Sequence, residues 1–231
     1  MAPPAVVISD IDRSALCELP VSLTVVGVAE ACRSSALDFL TGIARGWGKA
    51  ELARWLDGRY RTLTRFALQN KSDSEKLMDA LARCSAKRAE KRAEVSPRAR
   101  LAPARIDELL QTTRGEVLEV LRAAAQPGEA IGFGFEAMGS GHVVRCIDRQ
   151  GALGWVPVDI PRMRLLDRVV SLVAVDYLTR PDDYETKLVV CGRCDQIAFD
   201  VEARARGGCR THADSTIVTK DGAPASRQLA S

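Results

Sequence analysis

The stretch Lys187-Leu188-Val189-Val190-Cys191-Gly192-Arg193-Cys194, followed fourteen residues later by Cys209-Arg210-Thr211-His212, decides how the C-terminal part of this chain is read. Each pair of donors is separated by two residues, so one tight turn brings both side chains to a single point. Gly192 relaxes the first turn, and Gly207-Gly208 stands just before the second. Three thiols and an imidazole are the donors that Zn²⁺ accepts in a tetrahedron. The chain has only two histidines, and one of them falls at ligand spacing from a cysteine.

Strand-like residues frame the first pair. Lys187 to Val190 predicts a short strand entering it, and the alternation Ile197-Ala198-Phe199-Asp200-Val201 predicts one leaving it. On these residues, segment 187–213 resembles a zinc ribbon: a knuckle, a β-hairpin and a second knuckle. The resemblance covers this segment alone. It implies one structural Zn²⁺ per chain, held by Cys191, Cys194, Cys209 and His212, and it implies no activity. A redox Cys-x-x-Cys would open a helix within a βαβ unit, whereas the residues after Cys194 alternate as a strand. Four protein donors leave no open position for water. A deaminase-type site would add a glutamate two residues beyond the histidine, but His212 is followed by Ala213-Asp214-Ser215. The segment's large apolar residues are chiefly Ile197, Phe199 and Val201, so it is expected to carry a small core separate from the rest.

Upstream the period is two. Ile131, Phe133 and Phe135 alternate with glycines, Gly139-Ser140-Gly141 predicts a turn, and 142–147 predicts a second strand. Asp148 to Gly151 predicts another turn and 153–158 a third strand, together a β-meander. Segment 161–178 carries both helix and strand signals. Pro161 suits a first helical position, which favours helix; residues 180–183 read as a loop.

Further upstream the pattern is helical. The apolar run 19–31 reads as a strand or the lead-in to a helix. Its acidic flank (Asp10, Asp12, Glu18) is wrong for a signal peptide, and it is too short to span a bilayer, so a cytoplasmic location is expected. Leu37, Leu40, Ala44 and Trp47 recur at helical spacing, Gly46 and Gly48 mark a break, and Leu52, Trp55, Leu56, Leu63 and Phe66 continue a similar face. Ser72 to Glu75 fits a capping box ahead of Leu77, Met78, Leu81 and Cys84. Pro103 opens a helix carrying Ile106, Leu109 and Leu110, and Thr113 to Glu116 fits a second box opening a further turn.

The expected class is therefore α+β in four parts: a mainly helical region 1–126, a β-meander region 127–186, the zinc-ribbon segment 187–213 and a disordered tail 214–231. The 231 residues are 46% hydrophobic and 27% charged, with a formal charge of +3, too small to imply a polyanion partner. Residues 81–105 hold eight basic and two acidic side chains (among the former Arg83, Lys87, Arg88, Lys91 and Arg92), without interleaved aromatics for base stacking. They read as a solvated face. A winged helix with residues 113–125 as recognition helix is disfavoured by Glu116 and Glu119 beside Arg114 and Arg122. The glycines at 132–141 lack the lysine of a phosphate loop. His142 with Ser140 nearby is not read as a dyad but as a satisfied strand or turn histidine, and Cys17, Cys32, Cys84 and Cys146 read as small buried apolar groups. The chain thus reads as a non-enzymatic, zinc-binding protein that docks a protein partner, with nucleic-acid binding through the basic stretch and ribbon as the rival. An enzyme assembled from scattered residues such as His142 and Cys146 is the third reading.

Overall fold

The computed structural model describes residues 16–65, 103–126, 137–160 and 162–212. The capping-box helix after Ser72, most of the basic stretch, the strand expected at 131–135 and the tail after His212 lie outside the described residues.

The apolar run 19–31 is a helix lead-in. Leu19 donates its N–H to the Ile147 carbonyl, continuing the short strand β1 (Cys17–Glu18). Helix α1 (Val25–Ala44) then starts behind Thr24, whose hydroxyl accepts the Gly27 N–H at 3.1 Å. The Asp148 carboxylate, from the turn at 148–151, accepts the Val25 N–H at 3.2 Å and so ties that end to the sheet. The helix stops where the glycines predict. Gly46 takes φ 86°, Gly46 N–H reaches the Ile43 carbonyl and Trp47 N–H reaches Gly42, the paired bonds of a Schellman end. Helix α2 (Lys49–Trp55), a wider π turn (Leu56–Tyr60) and α3 (Arg61–Thr64) follow, burying Trp55, Tyr60 and Leu63.

Helix α4 (Pro103–Ala124) runs unbroken through the second expected capping box. Thr113 is buried in mid-helix, in line with Ile106, Leu110, Val117, Leu121 and Ala124. A continuous apolar stripe at three- and four-residue spacing outweighs the local box pattern.

Strands β2 (Val143–Ile147) and β3 (Leu153–Pro157) form the expected antiparallel pair. The third described strand is not the one the meander implied. It is β1, paired parallel to β2 with Cys17 opposite Cys146. Segment 161–178 resolves as helix α5 (Leu165–Thr179). Residues 180–183 are no loop: α6 (Pro181–Thr186) starts there, with proline in its first turn beside Asp182 and Asp183. Hairpin β4 (Leu188–Val190) and β5 (Ile197–Phe199) follows, then α7 (Val201–Arg206) and a 3₁₀ turn (Arg210–His212). The mixed α+β class thus holds.

Helices α1 and α5 pack against each other, with β3 and α4 on α5. One cluster of buried residues runs through Val28, Phe39, Leu110, Val156 and Leu172 to Leu188, and Val190, Ile197 and Phe199 pack against it. The hairpin therefore does not have the separate core its composition suggested. Its apolar side chains are too few to enclose one another, and they share the interior of the helices.

Polar groups also cross this interior. The Asp176 side chain, on α5, is fully buried and accepts from Arg33 Nε at 2.6 Å and the Tyr184 hydroxyl at 2.7 Å, with Arg180 on its other oxygen. Arg33 also reaches Asp183 at 2.8 Å, and its guanidinium lies 3.9 Å from the centroid of the Phe199 ring. Asp176→Ala would leave Arg33 and Arg180 without this shared acceptor. A loss of about 3 kcal/mol of folding stability is expected, measured by urea denaturation.

Asp148, Asp183 and Asp167 sit below the ordinary carboxylate range. Asp148 is held low first by the Val25 N–H. Burial would raise Asp183, but hydrogen bonds from Lys187 and Arg33 prevail; burial would likewise raise Asp167, but Arg164 prevails. Each therefore favours the folded state above the unfolded carboxylate pKa of roughly 4, and that contribution is lost as pH falls through the lowered folded values. The melting midpoint should be level above about pH 5 and fall below about pH 4. In a pH series of melts, Asp183→Asn should lower the plateau and flatten the fall.

Candidate metal centre

The four predicted donors come together: one ligand atom from each of Cys191, Cys194, Cys209 and His212 lies within 4.8 Å of all the others. Cys194 Sγ is 3.6 Å from Cys209 Sγ, while His212 Nδ1 is 3.3 Å from Cys209 Sγ and 3.7 Å from Cys191 Sγ. Zn–S bonds of about 2.3 Å place the corners of a tetrahedron roughly 3.8 Å apart. Both donor type and spacing therefore fit a metal ion of that size.

The local backbone explains the convergence. Cys191 N–H donates to the Gln196 carbonyl at 2.8 Å and Asp195 N–H to the Cys191 carbonyl at 2.9 Å, closing the first turn. The left-handed residue here is Asp195, at φ 55°, rather than Gly192, to which the sequence pointed. Aspartate tolerates that region better than most side chains. The second pair arrives differently from a ribbon. Val201, expected in a strand, begins α7, because the Asp200 carboxylate caps it by accepting the Ala203 N–H at 2.7 Å. Gly207, at φ 71°, ends that helix and turns the chain into the Cys209–His212 turn, where His212 N–H donates to the Cys209 carbonyl at 3.0 Å. The observed order is strand, knuckle, strand, helix, second pair.

Cys191 and Cys209 are buried, His212 is half-buried and Cys194 is exposed. Burial pushes the Cys191 thiol up, but hydrogen bonds from the backbone N–H groups of Cys209, Arg193 and Cys194, together with the Cys194 side chain, bring it down to about 6. Burial and the neighbouring thiols instead raise Cys194 to about 11. These backbone donors favour the thiolate form of Cys191, which suits a metal ligand.

What the sequence did not reveal is how this knuckle is anchored. The Asp195 carboxylate takes Arg122 Nη2 at 2.6 Å and Arg114 Nη1 at 3.3 Å, both from α4. Arg204 of α7 donates to the Leu188 carbonyl at 3.0 Å and to Ala125, just beyond α4, at 2.6 Å. Arg114 and Arg122 are the cations of the helix weighed as a recognition helix, and both are occupied within the protein. An aspartate following a ligand cysteine, with arginines eight residues apart on a helix, was the available signal, but nothing local pairs them.

The other candidates do not join this centre. His142 is held by its backbone, donating to the Ala137 carbonyl and accepting from Val158 N–H, and its ring lies near Asp167. Burial pushes the Cys146 thiol up to about 12 and Cys17 to about 11, and it also raises Cys32. These three are protonated, packed thiols at neutral pH; Cys84 lies outside the described residues.

No protein-family model matches this chain, and no curated protein or solved structure gives a significant match. The centre therefore defines a class by its chemistry alone: an α+β protein with a Cys₃His cluster able to hold a metal ion.

Removing the anchor should loosen the knuckle selectively. In Asp195→Ala, amides 191–196 should exchange with solvent up to about thirtyfold faster, because two partly exposed ion pairs are lost and each contributes at most ~1 kcal/mol. Amides of α1 should be unchanged. Hydrogen-exchange mass spectrometry reads both.

Proposed function

We propose that this chain is a non-enzymatic binding or regulatory protein stabilised by one structural Zn²⁺, and that it acts by docking a protein partner. The observation that carries the reading is the Cys₃His cluster, with all four donor atoms within 4.8 Å of one another. Zn²⁺ bound there would have four protein ligands and no position for water or substrate, so it would supply structure rather than catalysis. The ribbon resemblance serves as a guide to the donors only, since α7 stands where a ribbon returns a strand. The occupied state of Arg114 and Arg122 weighs against α4 as a nucleic-acid reader. No helix among the described residues is long and apolar enough to cross a membrane; a cytoplasmic location is part of the proposal.

Elemental analysis of the purified chain should find one zinc per chain, lost in Cys194→Ser. Structural zinc sites contribute on the order of 10 kcal/mol in apparent terms. Because Leu188 belongs to the common core, the effect of losing zinc should not stop at the hairpin. Hydrogen exchange in Cys194→Ser should lose protection in β4, β5 and α7, and also in the C-terminal turns of α4. Protein free of metal, or a Cys191–Cys194 disulfide under reducing conditions, would overturn the zinc reading.

A further inference from the structure

Away from the metal, helix α1 lines two cavities of about 360 and 400 Å³ that share Asp38. Glu30, Arg33, Ser34, Leu37, Asp38, Thr41 and Arg45 form one stripe along the helix, and the two cavities adjoin at Asp38. From Glu30 to Arg45 the stripe is roughly 22 Å long at 1.5 Å per residue. An extended peptide of about seven residues spans that distance, whereas a compact small molecule would fill only one end.

The two ends differ in charge. At the first, Arg33 and Arg180 are committed to Asp176 and Asp183. At the second, Arg45, Arg54 and Arg59 face Asp38 and Glu51. Arg59 pairs with Asp38 and Arg54 with Glu51, while the Arg45 guanidinium has no partner among the described residues. This end also holds an aromatic surface. Trp47 lies directly over Gly42, where an added Cβ would come within 2.1 Å of its ring. Residue 42 therefore leaves room for an indole that is itself half-exposed and lines the cavity. A surplus guanidinium beside an indole suits a carboxylate next to an aromatic or aliphatic side chain.

We infer that the groove along α1 receives an extended acidic segment of a protein partner, with a carboxylate on Arg45 and an apolar side chain on Trp47. This inference rests on the docking role proposed above but does not depend on the metal.

The test is selection from a displayed library of random ten-residue peptides against the whole chain. Sequences rich in Asp and Glu with one aromatic or leucine should be enriched. Their binding should fall at least tenfold in Arg45→Glu and in Trp47→Ala, should weaken as salt rises, and should be unchanged in Arg149→Glu, which lies in the turn at 148–151. Melting curves show whether each variant is folded, and the exposed Arg45→Glu serves even if Trp47→Ala melts early. No enrichment, enrichment of basic or neutral peptides, or binding indifferent to Arg45→Glu would each overturn the inference. So would tighter, Arg45-dependent binding of a single-stranded or duplex oligonucleotide. A chain that lacks zinc yet selects acidic peptides would refute the metal reading and leave the groove standing. A zinc-loaded chain that selects none would do the reverse.

Discussion

Arg33 holds together parts of the chain that are far apart in sequence. Its guanidinium bridges Asp176 of α5 and Asp183 of α6 while its central carbon lies over the Phe199 ring of β5. An ion pair around a fully buried carboxylate gains less than its Coulomb energy suggests, because both charges must leave water. Its stronger effect is on specificity. Any packing of α1 against α5 that misses this register takes the Arg33 guanidinium from one oxygen of the buried Asp176 and leaves Arg180 as its cation, which lowers the stability of that packing. The surrounding rings reinforce the arrangement. Tyr177, Tyr184 and Phe199 meet edge to face with centroids 5.2 to 5.3 Å apart, so the hairpin is seated by the same cluster.

The metal centre depends on that seating from one side and on α4 from the other. β4 contributes Leu188 to the core, and Asp195 is drawn toward α4 by two arginines. A small Cys₃His module usually needs its ion to organise itself. Here the first knuckle is closed by backbone hydrogen bonds, and backbone N–H groups also lower the Cys191 thiol. The Cys₃His cluster is thus seated on a larger fold and does not stand as an independent finger. This seating explains why the cluster sits at the edge of the core, with only Cys194 exposed among its sulfurs.

Much of the framework was legible. The helical spacing of Leu37, Leu40 and Ala44 lies in α1 and that of Ile106, Leu109 and Leu110 in α4. The ambiguous segment 161–178, in which Pro161 favours helix, resolves as helix, and Gly46 ends α1 as a glycine at that offset should. The four donors were readable because ligand spacing is a local property: two intervening residues make one turn, and one turn makes one half of a site. The misreadings share a cause. The Thr113 box looked like a helix start, residues 180–183 like a loop and Val201 like a strand, because short windows fit several states equally. Burial of Thr113 in a long stripe, Pro181 at a helix start and the Asp200 cap decided them.

The sequence by itself determined the helix periods, the β2–β3 turn and which four residues form the Cys₃His cluster, all set by interactions within a few residues. Only the tertiary structure decided that β1 pairs parallel to β2, that Asp195 is held by Arg114 and Arg122, and that Arg33 joins α1 to α5, α6 and β5. Those contacts join residues 73 to 166 positions apart or more than 120 in the case of the strand pair. Charge pairs and strand partners at such separations leave no periodic trace in the chain, because their geometry exists only once the hydrophobic core has brought the elements together.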